Sequence, residues 1–401
     1  MTETSAPALP LHMRRQGFDP VPELGELRDG PGIGRVRTVN GLEAWLVTRF
    51  ADVRTVLGHP EVFSNAGVRA IQIPGMPARD PEEVARMRAG DLLGSDPPEH
   101  TRLRRMLTPE FTVRRMRRLE PRIREIVDAH LDAMEREGPP VDLVAHFALP
   151  VPSLVICELL GVPYDDRAEF QHRTNVQLDL SVPVERRLQV GMESRAYMAE
   201  LVARARSAPG EDMIGMLVRE HGDELTDPEL VGIANLLLIA GHETTSNMLG
   251  LGTLALLRHP EQLALVRDDP SAVEPAVEEL LRWISIVHTT VFRLAIADTE
   301  IAGQKIAKGD VILCSVPAAN RDRELLTDPE RLDVTRGGIG HLAFGHGVHH
   351  CLGAPLARME MRIAFPALLR RFPGLRTVSD VANFRSYHFV FGLTSLSVAW
   401  S

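Results

Sequence analysis

Ten residues near the C-terminal end, Phe344-Gly345-His346-Gly347-Val348-His349-His350-Cys351-Leu352-Gly353, bring together three glycines, three histidines and a cysteine. Glycine is used where φ is positive or where another surface lies against the backbone. A helical pattern, Leu352 to Arg371, follows at once. A helix N-terminus lowers the pKa of a thiol and favours its anion. A glycine-walled loop presenting a thiolate suits one face of a flat metallocycle, which needs close approach and one axial ligand. Two other readings stand beside this one. A lone cysteine is often a small buried hydrophobe. The histidines and the cysteine are also zinc ligand types, although adjacent His350 and Cys351 fit one tetrahedral ion poorly and no second ligand pair follows at the usual spacing.

A second constellation lies at the middle of a long apolar run, Leu236-Leu237-Leu238-Ile239-Ala240-Gly241-His242-Glu243-Thr244-Thr245. Gly241 costs a helix about 1 kcal/mol against alanine, and a buried carboxylate without a partner costs more. Threonine diverts hydrogen bonding to the carbonyl four residues back and bends helices. The expected result is a polar notch beside apolar walls. A third lies at Glu99-His100-Thr101-Arg102-Leu103-Arg104, where His100 and Arg104 share one helix face.

The elements that hold these residues are mostly helical. Segments 22–28, 49–58, 81–88, 113–137, 149–160, 165–178, 184–208, 226–258 and 274–283 read as helices. Thr226-Asp227-Pro228-Glu229 is a capping box for the longest. Asn40-Gly41 between 34–39 and 42–47 is a hairpin signal. Further strands are expected at 287–301, at 306–313 and in the tail from Tyr387 to Trp400. Residues 1–20 are Pro-rich and read as a loosely held arm before a single domain, 21–401. The stretch from Glu61 to Gly94 has little periodicity, and a loop this long is usually functional or disordered.

The chain has 401 residues, 44% hydrophobic and 25% charged, with net charge −9. That is a globular composition, and the acidity argues against nucleic acid. Cys157, Cys314 and Cys351 are the only cysteines; they form no disulfide framework and suit a reducing cytoplasm. The N-terminus is not a signal peptide, and no apolar run reaches the length of a spanning helix. Seven arginines against one acid, Glu110, fall between Arg102 and Arg118. This basic run is either a solvated face or a dock for an acidic electron carrier.

The cysteine loop resembles that of the cytochromes P-450, Phe-x-x-Gly-x-x-x-Cys-x-Gly, at Phe344, Gly347, Cys351 and Gly353. Ala240-Gly241-His242-Glu243-Thr244 resembles the oxygen-activating motif of the same family, and Glu279-Leu280-Leu281-Arg282 its Glu-x-x-Arg pair. The motifs stand in family order over about residues 35–400. The resemblance implies a mainly α fold with a minor β part. Haem b would lie between the Gly241 helix and the Cys351 loop, with Cys351 as axial ligand of the iron. A cysteine thiolate in that position favours O–O cleavage.

By the same resemblance His100, Arg104, Arg293 and His349 meet the haem propionates, and Phe344, Gly345, Gly353 and Ala240 line the haem. Thr244 hydrogen-bonds the oxygen under activation and Glu243 relays protons. Leu92, Leu93, Leu236, Ile239, Ala240, Thr289, Val291, Phe389 and Val390 face the substrate. Arg331, in Pro329-Glu330-Arg331, joins the Glu279–Arg282 pair. The implied reaction inserts one atom of O2 into a C–H or C=C bond of an apolar small molecule, a secondary metabolite such as a macrolide, terpenoid or steroid. No nicotinamide- or flavin-binding Gly-x-Gly-x-x-Gly follows a strand, so NAD(P)H electrons are expected through a reductase and a ferredoxin. The soluble, bacterial type of this family carries no membrane anchor, and a cytoplasmic monomer is expected.

Overall fold

Asn40-Gly41 turns the chain between two antiparallel strands, Ile33–Arg37 and Glu43–Val47. In the computed structural model, which describes residues 9–71, 80–289 and 291–401, this hairpin opens a five-stranded sheet. Its spatial order is 33–37, 43–47, 311–314, 292–295 and 63–64. The 311–314 strand runs parallel to 43–47 and antiparallel to 292–295. Strands are thus shorter and more broken than the periodicity suggests: 287–301 resolves into Phe292–Ala295 and Thr299–Ile301. Helices make up the rest of the core. Among the described residues, no helix is long and apolar enough to cross a membrane.

The organising element is the helix Asp227–Leu257, 31 residues, or roughly 46 Å at 1.5 Å per residue. Its capping box forms as expected: Thr226 Oγ1 accepts from Glu229 N–H, and Glu229 Oε2 accepts from Thr226 N–H at 2.8 Å. It packs against Pro150–Leu160, Val184–Ser207 and Ala354–Arg371. Two of its glycines are seats for neighbours. A Cβ on Gly241 would stand 2.5 Å from Ile156 Cδ1, and one on Gly252 2.5 Å from Phe365 Cζ. Gly241 therefore serves helix–helix approach. Gly241→Val is expected to lower the midpoint of thermal unfolding, because the added side chain overlaps Ile156 and forces it off its seat between the two helices.

Glu279 and Arg282, both fully buried, pair through two hydrogen bonds of 2.7 and 2.8 Å. Arg282 also donates to the carbonyls of Asn320 and Pro329. The third arginine is Arg336, not Arg331: Arg336 Nε lies 3.4 Å from Glu279 Oε1. Arg331 contributes only its carbonyl, which accepts from Arg282. Asn320 Oδ1 accepts from Leu342 N–H at 2.7 Å, so this buried charge pair is fastened directly to the segment that enters the cysteine loop.

Residues 9–20 are not loosely held. Met13 and Phe18 are buried, the Phe18 ring packs 5.1 Å from that of Trp283, and Arg15 donates to the carbonyls of Ile284 and Ser285. Residues 15–16 and 19–20 pair as a small hairpin. Part of the aperiodic stretch 61–94, residues 72–79, lies outside the described residues; around it stand helices Asn65–Ala70 and Pro81–Arg88.

Candidate active site

The cysteine loop is shaped by two left-handed glycines, Gly345 at φ +74 and Gly347 at φ +71. A Cβ on Gly347 would stand 2.5 Å from the Leu57 carbonyl oxygen, so the loop lies against the helix Phe50–Gly58 by close backbone approach. Cys351 N–H donates to Phe344 O at 2.8 Å, closing the loop. Cys351 is exposed, but to an internal cavity of about 500 Å³ that it lines. Protein encloses the sulfur elsewhere, and this burial pushes its thiol up. The backbone N–H groups of Gly353 and Ala354 and the charges of Arg104 and Arg358 oppose that shift.

Beside the sulfur stands an unbalanced group of bases. His100, Arg104, Arg293 and His349 all line the cavity. The His100 and His349 rings lie 4.2 Å apart at a tilt of 55°, and all four of their ring nitrogens are buried without hydrogen-bond partners. Burial, with His100, Arg293 and Arg104 adding to it, pushes His349 down to about 3. Arg293, 6% exposed, donates to the Phe292 carbonyl; neither it nor Arg104 has a carboxylate within ion-pair reach among the described residues. Buried cations are normally paired. These bases around a void fit a flat ligand carrying carboxylates, and with a single thiol on the same wall the fit is to haem. Among the described residues no cluster of His, Cys, Asp and Glu could hold a bare metal ion, which removes the zinc reading there.

The opposite wall is the central helix. Leu236, Leu237, Ala240, Gly241, Thr244, Thr245 and Met248 line the cavity, the stripe that a 3.6-residue period produces. Thr244 Oγ1 donates to Ala240 O at 2.9 Å, a bond that points the hydroxyl along the helix face in the cavity wall. Glu243 turns away into a polar cluster. Its Oε1 meets Arg385 Nη1 and accepts from Asn247 Nδ2 at 3.1 Å. Burial pushes the Glu243 carboxyl up, but Arg385, then His242, His388 and Asn247, hold it below the usual range. His388 Nε2 stands 3.7 Å away. Burial keeps that imidazole below its ordinary value, so the contact is dipolar rather than an ion pair.

Of the residues expected at this site, Phe344, Gly345, Gly353, Leu92, Leu93, Leu236, Ala240, Val291 and Phe389 line the cavity. Ile239, Thr289 and Val390 do not. Ile239 is one helical step, about 100°, from Ala240 and so faces another side. Thr289 is buried and spends its hydroxyl on Phe389 O at 2.8 Å. Val390 bonds through its backbone to His388. Sequence reasoning missed Arg385 and His388, which reach Glu243 from the C-terminal tail; the one signal was a buried acid in need of a cation. It also missed the helix Asn65–Ala70, whose Asn65, Val68 and Arg69 form part of the rim.

Residues 199–379 match the family model for cytochrome P450. Cytochrome P450 FAS1 of Rhodococcoides fascians is 50% identical over 393 residues, covering 98% of both chains. The solved structure of P450 StaH, from glycopeptide antibiotic A47934 biosynthesis, is 47% identical, covering 98% of this chain and all of that one, with a TM-score of 0.86. CYP105P1, solved with filipin I, is 41% identical over 99% of each chain, with a TM-score of 0.91. The chain belongs to the cytochrome P450 family, haem-thiolate monooxygenases that use dioxygen. Its relatives include bacterial enzymes of secondary metabolism, and such enzymes generally draw electrons from redox partners and take apolar substrates.

Proposed function

We propose that this P450 oxidises an apolar secondary metabolite with electrons delivered by a ferredoxin. The net reaction is RH + O2 + 2 e⁻ + 2 H⁺ → ROH + H2O, or epoxide formation at a C=C bond. The carrying observation is convergence: one cavity holds the Cys351 sulfur, four bases without counter-charges, and Thr244 on the facing helix. Haem b, when bound, supplies an iron that activates dioxygen. Cys351 would ligate that iron through its thiolate. His100, Arg104, Arg293 and His349 would hold the haem carboxylates, and the arginine forks suit that task.

Leu92, Leu93, Leu236, Val291 and Phe389, with Ile286 and Val287, supply an apolar wall that orients the substrate and excludes water. Thr244 hydroxyl hydrogen-bonds the oxygen side of the cavity, and Glu243 behind it passes protons inward from solvent, with Arg385 and His388 holding its carboxylate in place. The place of StaH in glycopeptide antibiotic biosynthesis supports the substrate class. Thr244→Ala is expected to leave the haem spectrum intact while most of the NAD(P)H consumed yields peroxide rather than product. Undiminished coupling would remove Thr244 from its role.

The electron donor reads from charge. Within the basic run, Arg104 faces the cavity, Arg102 pairs with Glu99 and Glu229, and Arg115 pairs with Glu110. Arg105, Arg114, Arg117 and Arg118 are exposed, with no acid within ion-pair reach among the described residues. Exposed like charges steer an acidic partner, and salt screens that steering. Arg105→Glu with Arg117→Glu is expected to raise the apparent KM for an acidic ferredoxin several-fold at low salt, with the difference closing at high salt. An unchanged KM at low salt would move the dock elsewhere.

A further inference from the structure

Glu278 lies one residue before the buried Glu279–Arg282 pair, on the helix Val273–Ile284. It takes no part in that pair. Instead it reaches the helix Ala354–Arg371 that follows the cysteine loop, where it clasps Arg358: Glu278 Oε1 accepts from Nε at 2.7 Å and Oε2 from Nη2 at 2.8 Å. The same carboxylate faces His341, whose Nε2 lies 3.2 Å from Oε2. His341 Nδ1 accepts from Ala343 N–H at 3.2 Å, so Nε2 carries the ring proton on the side of Glu278, in charge–dipole contact rather than a hydrogen bond. His341 is almost fully enclosed, and Glu278 and Arg358 are mostly so, with side chains 17% and 26% exposed.

The clasp has a consequence at the cysteine loop. Arg358 lies over the face of Phe344, its guanidinium carbon 4.5 Å from the ring centroid. Phe344 is the residue whose carbonyl closes the loop onto Cys351 N–H. The charges of Arg104 and Arg358 both favour the Cys351 thiolate. Arg104 has no carboxylate within ion-pair reach among the described residues. Arg358 has Glu278, held bidentately, the geometry with the greatest strength and direction.

We propose that Glu278 is a positioning residue for the thiolate: it pins Arg358 over Phe344 and offsets part of that cation's charge at the Cys351 sulfur. This rests on Cys351 being the haem ligand. A bidentate carboxylate leaves Arg358 as one half of a dipole, so less of its positive charge reaches the sulfur. Phe344 is meanwhile clamped between the loop backbone and a guanidinium that cannot rotate away. Without the carboxylate, Arg358 presents an uncompensated positive charge to the sulfur, which stabilises added negative charge at the metal centre and weakens thiolate donation.

The test is a spectroelectrochemical titration of the haem-loaded enzyme, with the reduced carbon monoxide spectrum recorded on each variant. Glu278→Gln keeps shape and removes charge; its midpoint potential is expected to rise above wild type. Glu278→Asp keeps charge and is expected to stay near wild type. Arg358→Met removes the cation itself and is expected to shift the potential down. Combining Glu278→Gln with Arg358→Met should cancel the upward shift of the first change.

Equal potentials in wild type and Glu278→Gln would overturn the proposal. So would a Glu278→Asp shift as large as that of Glu278→Gln, because packing rather than charge would then be the cause. If Glu278→Gln does not retain haem, Arg358→Met still decides: a potential that does not fall refutes the charge argument. A wild-type protein without the thiolate-type carbon monoxide band would instead refute Cys351 as ligand, a failure recognisable before any variant is made.

Discussion

Cys351→Ala is expected to abolish monooxygenase turnover and to remove the strongly red-shifted Soret band of the reduced, carbon monoxide-bound protein. The sulfur is the only thiol in the cavity; Cys157 and Cys314 are buried elsewhere, and burial pushes both thiols up to about 12. Neither can replace it. His100, His349 and the two arginines remain after the change, so some haem is expected to stay bound through its carboxylates. The residual spectrum should then be that of haem without thiolate. Carbon monoxide spectra together with haem-to-protein ratios check this. A variant that keeps the red-shifted band would exclude Cys351 as the ligand. A variant that loses all haem would show that the base cluster cannot hold it alone.

The two walls of this cavity differ in how far they were legible. The cysteine loop is local: its glycines, aromatic residue and thiol lie within ten residues, and the conformation follows from positive φ at Gly345 and Gly347. The central helix is also local, since a capping box and a 3.6-residue period set its start and its faces. The same period should have excluded Ile239 from the stripe of Leu236, Ala240 and Thr244. Placing it there follows the motif rather than the geometry.

What was not legible depends on contacts between distant segments. Arg336, five residues beyond the expected Arg331, meets Glu279 because the intervening chain turns its carbonyls, not its guanidinium, toward Arg282. The N-terminal arm looked unstructured from its prolines, yet Phe18 finds Trp283 more than 260 residues away in the sequence. No local pattern encodes either encounter. The sheet was legible at its hairpin, where Asn-Gly sets the turn, and not at the short pairings that long-range packing decides.

The tail supplies the second large effect. Arg385→Met is expected to destabilise the protein and to move the acid limb of coupled turnover to higher pH. Glu243 is 3% exposed and its principal partner is Arg385. Removing one member of a buried ion pair costs about 3–5 kcal/mol, because the other charge is left without compensation. Glu243 has a way to reduce that cost. With Arg385 gone, burial outweighs the dipoles of Asn247 and His388, so its pKa rises and it takes up a proton.

The sign follows from that shift. In the wild type the depressed Glu243 pKa contributes stability that is present above the unfolded value and lost as pH falls through the folded one. In Arg385→Met the folded pKa exceeds the unfolded one. The contribution then reverses, and the variant gains relative to its own neutral-pH stability as the solution is acidified. Urea unfolding across pH 4–8 measures this. A purely structural role for Arg385 would lower stability equally at every pH and leave the ratio of product to NAD(P)H consumed with its original pH profile. Glu243→Gln together with Arg385→Met should recover much of the lost stability, since no buried charge remains, while coupling stays low if the Glu243 carboxylate carries protons toward Thr244 as proposed. Recovery of stability and coupling together would mean that Glu243 carries no protons, and the relay would have to run through another group near the cavity.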